Sequence, residues 1–226
     1  MKSYLIGIFL LYITIHFLRY LPLILNYRKS AFKYESDVGL ITFLTDKGAL
    51  GEGLIFFELE KVPCYSRIVT NVYLPTEYGT TEIDLIYLAP SGIYVLESKN
   101  YSGWIFGDAR SRYWTSVLYQ TKNKFYNPIW QNRTHIKYLK RVLGTISVTS
   151  IVVFGEQAKL KKIEAEDHIV IKRRKLKRTL TKEIKQVIYT EQDIDRYYAI
   201  LKQYSNQSNK VKRQHIKNIK NNVTHF

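Results

Sequence analysis

Residues Thr81-Glu82-Ile83-Asp84-Leu85-Ile86-Tyr87-Leu88 run into Ala89-Pro90-Ser91-Gly92, and the chain returns as Ile93-Tyr94-Val95-Leu96-Glu97-Ser98-Lys99. β-Branched and aromatic residues crowd both arms, and Pro-Ser-Gly between them makes a turn, so the stretch predicts an antiparallel hairpin. With Leu88 opposite Ile93, Asp84 faces Glu97 and Glu82 faces Lys99. Alternation then puts Glu82, Asp84, Ile86, Leu88, Ile93, Val95, Glu97 and Lys99 on one face. Ile83, Leu85, Tyr87, Tyr94, Leu96 and Ser98 take the other. Both faces are largely apolar and should be covered, so four charged residues gather at one end of a buried surface.

Outward from the hairpin, helix and strand alternate. A break near Gly48 precedes a predicted helix from about Leu50 to Lys61, because Gly48, Gly51 and Gly53 weaken anything earlier. Arg67–Leu74 reads as a strand. The runs around Trp104–Phe106 and Tyr113–Tyr119 read as strands or a loop extension. Asn127-Pro128 opens the clearest helix, with an N-cap Asn, a Pro in the first turn and Gly144 where a C-terminal cap belongs. Ile129, Ile136, Leu139 and Leu143 form its core-facing stripe. Ser147–Phe154 and His168–Ile171 read as further strands, and Asp193–Tyr204 as a last helix. This order predicts an α/β fold with a mixed sheet flanked by helices.

Directly opposed carboxylates on neighbouring strands repel one another. Asp84 and Glu97 can share a proton, or a divalent cation can bridge them; Mg²⁺, or Mn²⁺ in its place, suits two carboxylates and several waters. Lys99 shares the Glu97 face and can hold a water beside the ion, which is the equipment of phosphodiester hydrolysis. The plainer alternative is a Glu82–Lys99 cross-strand ion pair with Asp84 as a solvated strand end. Gln131 and His135 lie one helical turn apart on the capped helix. His135 alone reads more readily as a packing or surface residue than as a phosphate contact.

Gly51-Glu52, Thr81-Glu82-Ile83-Asp84, Ser91 through Asn100, Gly103, and Asn127-Pro128 with Gln131 together resemble the nuclease-related domain family, over residues 47–155. The resemblance implies a restriction-endonuclease-like fold of PD-(D/E)xK type, with Asp84, Glu97 and Lys99 as its core. It also implies Glu52 as the acidic residue of the preceding helix and Gln131 as the helix-borne residue that closes the site. Ser98 stands where an apolar residue is common, but it points away from the site.

Residues 4–25 are almost wholly apolar apart from Arg19, about 33 Å of helix and enough to cross a bilayer. Arg28, Lys29 and Lys33 follow while only Lys2 precedes, so the expectation for residues 1–33 is a single-pass membrane anchor with the body, 38–204, facing the cytoplasm. The chain carries a formal charge of +16, and residues 151–226 hold 18 basic against 8 acidic side chains. Such an excess points to a polyanion, nucleic acid (DNA ahead of RNA) or an anionic membrane surface. Lys172, Arg173, Arg174 and Lys175 are the candidate contacts to phosphates or anionic lipid heads, with a solvated charged loop as the plainer alternative, and 205–226 reads as a disordered basic tail. With one cysteine in 226 residues, a disulfide framework and a Cys-rich zinc site are excluded. The sequence-based expectation is a membrane-anchored, metal-dependent nuclease. Its alternative is an inactive nucleic-acid- or protein-binding module of the same fold.

Overall fold

The hairpin is the middle of a five-stranded mixed sheet. A computed structural model describes residues 14, 18–184, 186–205 and 207. Strands β1 (Arg67–Thr76), β2 (Gly79–Ala89) and β3 (Gly92–Lys99) pair antiparallel, then β7 (Val148–Phe154) and β9 (Ile169–Lys172) join β3 in parallel, in the order β1-β2-β3-β7-β9. Leu88 pairs with Ile93 and Leu85 with Leu96, which is the register expected from the turn. A second mixed sheet, in the order β6-β5-β4-β8, is built from β4 (Gly103–Asp108), β5 (Tyr113–Leu118), β6 (Thr121–Tyr126) and β8 (Ala158–Glu164).

Helices cover both faces of the first sheet, as its apolar pattern requires. On one face lie α1 (residues 18–29), α2 (Phe32–Glu35), α3 (Leu40–Thr45), α4 (Lys47–Leu59) and α6 (Leu176–Glu183). Their core joins Tyr27, Phe32, Phe43, Phe56, Phe57 and Leu180 to Leu85, Tyr87 and Leu96. On the other face α5 (Pro128–Leu143) and α7 (Glu191–Lys202) bring Leu139, Tyr197 and Leu201 onto Ile83, Ile86, Leu88 and Val95. A separate cluster around Trp114, Phe125 and Phe154 fastens the second sheet to the first.

Several local expectations change. The break falls at Asp46, whose carboxylate caps α4 by accepting from the Ala49 N–H, so one helix runs from Lys47 through all three glycines. Gly53 is there for packing: a Cβ on it would sit 2.5 Å from the Phe43 ring. Strands β6 and β8 and helix α6 are additions to the sequence-based outline. The basic run is no loop: it ends β9, forms a 3₁₀ turn at Arg173–Lys175 and opens α6, whose Leu176 and Leu180 are buried.

Most of the expected membrane span, 4–25, lies outside the described residues, as does nearly all of the expected tail. Among the described residues no helix is long and apolar enough to cross a membrane. Of the span's described end, Leu18 and Leu25 are exposed while Leu23 packs against the core.

Candidate active site

Strands β2 and β3 part where the charged residues begin. The backbone ladder stops at Leu85–Leu96, and the Asp84 carboxylate then accepts from the Ser98 N–H at 2.9 Å. A side chain thus replaces the next rung. In the β1–β2 ladder the pairs Thr70–Leu85 and Val72–Ile83 are present, and between them sit Asn71, with φ at 51°, and Asp84. Val69, Val72 and Leu74, and likewise Ile83, Ile86 and Leu88, all belong to the α5-side core, so both strands exchange their faces at this point.

That exchange corrects the expected grouping. Glu82 does not share a face with Ile86 and Leu88; it turns to the α4 side and accepts from the Tyr73 hydroxyl at 2.5 Å. Lys99 is held elsewhere, by Glu97.

Glu97 is buried on the α5 side. One of its oxygens accepts from Lys99 Nζ at 2.7 Å, and the other lies 3.2 Å from His135 Nε2. Lys99 also donates to Gln131 Oε1 at 3.0 Å, so the helix-borne Gln131 sits where the resemblance implied. His135 Nδ1 meets the Thr81 hydroxyl at 2.7 Å. Since Glu97 only accepts when ionised, the His135 proton facing it is on Nε2. The helix carrying Gln131 and His135 is itself pinned: Asn127 caps Ile129 N–H and donates to the carbonyls of Asp108, Ala109 and Ser111.

Electrostatics separate the carboxylates. Burial would raise Glu97, but Lys99 and the His135 hydrogen bond outweigh it and hold this carboxyl below its ordinary value. Burial raises Asp84 well above the ordinary range, and Glu97 and Glu52 add to the effect against Lys99 and the Ser98 N–H. Glu52, on α4, is pushed up to about 8 by burial first and then by Glu82, Asp46 and Glu97. Burial would lower Lys99, yet the pull of Glu97 keeps it charged. Asp84 and Glu97 therefore share one internal ammonium, with Glu52 as a further acidic neighbour.

Among the described residues no three His, Cys, Asp or Glu side chains converge into a ready-made metal cage. The donor set does fit a cation that needs only one or two carboxylates and keeps its waters, which is the habit of Mg²⁺. Asp84 and Glu97 would supply those carboxylates.

Of the four candidate phosphate contacts, Lys172 and Arg174 are engaged by Glu156. Lys172 Nζ lies 3.4 Å and Arg174 Nε 3.9 Å from its carboxylate. Lys175 is exposed, and only Arg173 faces the cavity beside Lys99. His135 is the residue that sequence reasoning set aside; its place one turn from Gln131 was the available signal.

The raised Glu52 carboxyl carries a consequence for stability. The folded protein keeps this proton up to about pH 8, whereas the unfolded chain releases it near the ordinary 4.5. The folded state thus binds more protons, and stability in EDTA should fall as pH rises through that window. Asp84 acts in the same sense. Glu97, with its lowered value, acts oppositely, adding stability that is lost in acid. Glu52→Gln should remove much of the fall and raise the melting temperature at pH 8 by a few degrees. An unchanged slope of melting temperature against pH would assign the titration to other groups.

Residues 47–155 match the family described as nuclease-related domain. An uncharacterized protein of Bacillus anthracis is 36% identical over 130 residues, a stretch covering 55% of this chain and 61% of that relative. The chain thus spans less than two thirds of the relative's length. No solved structure matches.

Proposed function

We propose, from the match of residues 47–155 to the nuclease-related domain, that the chain hydrolyses phosphodiester bonds of nucleic acid at Asp84, Glu97 and Lys99, with Mg²⁺ or Mn²⁺ held by the two carboxylates. The observation that carries this is the gathering of carboxyl groups beside one lysine: burial pushes Asp84 and Glu52 toward their neutral forms, and the charge of Glu97 pushes both further. A divalent cation held by Asp84 and Glu97 would relieve that repulsion.

A bound divalent cation supplies charge against the developing phosphorane and a lowered pKa for water. The protein's own groups do the rest. Lys99 spends two N–H bonds on Glu97 and Gln131, leaving its third proton for the attacking water or a phosphate oxygen. Gln131 fixes the direction of that third bond. His135, held by Thr81, fixes the rotamer of Glu97. Asp84, anchored at Ser98 N–H, stands where the strands part and is half-buried.

The proposal includes attachment to a membrane through the run 4–25, which its length and apolarity support. One experiment addresses both parts. Alkali-washed membranes from cells expressing the full chain are assayed on single-stranded DNA, duplex DNA and RNA with Mg²⁺, Mn²⁺ or EDTA. Cleavage in the washed membranes, stopped by EDTA, is the expected result. Activity left wholly in the wash removes the anchor, and equal cleavage in EDTA removes the metal.

A further inference from the structure

Beside Lys99, on the α4 side of β3, lies a cavity of about 370 Å³. Leu50, Leu54 and Ile55 of α4 form its apolar floor. Ser98, Asn100 and Gln157 supply polar groups, and Lys47 and Arg173 supply cations; Lys99 borders the cavity with its ammonium committed to Glu97 and Gln131. The corner is built for close approach. Asn100 donates to the Lys47 carbonyl at 2.7 Å, and a Cβ on Gly155 would sit 2.7 Å from Asn100 Oδ1. The one carboxylate of the lining, Glu156, already receives Lys172 and Arg174.

Arg173 is the anomaly. Its Nε is buried without a hydrogen-bond partner, and among the described residues its guanidinium makes no ion pair. A buried donor on a charged group is costly to leave unsatisfied, and a ligand oxygen beside it would offset that cost. The neighbouring arginine differs: Arg174 is exposed and bonded to Glu156. The complement of an idle guanidinium, the Lys47 ammonium and an apolar floor is a phosphate ester with a sugar or base attached.

We propose that this cavity is a phosphate subsite, anchored by Arg173, for the nucleic-acid strand next to the scissile phosphate. Lys99 borders the cavity and belongs to the candidate active site, so the two adjoin. The inference rests on the nucleic-acid reading of that site. Arg173 binds and positions, and no bond is made or broken at it.

The test is fluorescence anisotropy with a labelled single-stranded DNA oligonucleotide and the full chain in EDTA, so that cleavage, or its failure, plays no part. Arg173→Ala should weaken binding about tenfold and lower the salt slope by about one. Arg173→Lys should fall between, since it keeps the charge without the fork. Arg196→Ala, on the far face and paired with Asp193, should stay within about twofold as the control for net charge. Arg173→Ala should also melt no lower than the parent chain, because the buried donor goes with it. Equal losses for Arg173→Ala and Arg196→Ala would overturn the subsite in favour of diffuse charge. Unchanged DNA affinity with lost binding to phosphatidylglycerol vesicles would overturn it in favour of a lipid headgroup.

Discussion

Asp84→Asn is expected to abolish cleavage, by about a thousandfold or more, while leaving the metal-free protein at least as stable as the parent. The sign of the stability effect follows from the surroundings. Asp84 sits near Glu97 and Glu52, and burial with their charge pushes its carboxyl well above the ordinary range. Asparagine removes that repulsion and keeps an oxygen able to accept from the Ser98 N–H, so the parted strands remain joined. A structural ion-pair partner would behave oppositely, since breaking a buried pair costs about 3–5 kcal/mol. Cleavage assays and thermal melts in EDTA on the same preparation separate the cases. Lost activity with an unchanged or raised melting temperature supports a functional carboxylate, and a much lower melting temperature makes Asp84 structural.

Lys99→Ala should also lose most activity, about a hundredfold or more, but with the opposite stability effect. Its ammonium lies 2.7 Å from Glu97, whose carboxylate is 2% exposed. Removing it leaves Glu97 held by His135, 3.2 Å away. A loss of about 3 kcal/mol in EDTA is expected. Mg²⁺ should restore part of that loss, since it can replace the missing charge at Glu97. Melts with and without Mg²⁺ check this, and a deficit that the cation leaves untouched would place Glu97 outside any metal site.

How much of this was legible can be argued residue by residue. Pro90-Ser91-Gly92 set the hairpin register, and with it the nearness of Asp84, Glu97 and Lys99. The Asn127-Pro128 cap set α5 and thus the turn carrying Gln131. The exchange of faces at Asn71 and Asp84 was not legible, because a single left-handed asparagine leaves no trace in an alternating pattern. Glu82 was therefore given the wrong neighbours. The edge strands β6 and β8 were missed because they are polar and largely exposed, so no apolar period marks them. His135 and Asn132 interrupt the apolar stripe of α5 yet are buried, each bonded to the sheet: Asn132 donates to the Val95 carbonyl and the Ser150 hydroxyl, while its own Oδ1 has no partner among the described residues. Composition assigns such residues to the surface. The run Lys172–Lys175 read as uniform charge. Only packing distinguishes the idle Arg173 from Lys172 and Arg174, which Glu156 neutralises.

The central claim is that Asp84 and Glu97 together hold a divalent cation. Calorimetric titration of Mn²⁺ into the metal-free full chain tests it most directly, with Asp84→Asn titrated alongside. The account predicts saturable binding near one ion per chain, release of protons at pH 7 as the raised acidic groups ionise, and no binding by the variant. Absence of binding by the parent chain, or identical isotherms for the two proteins, would contradict it.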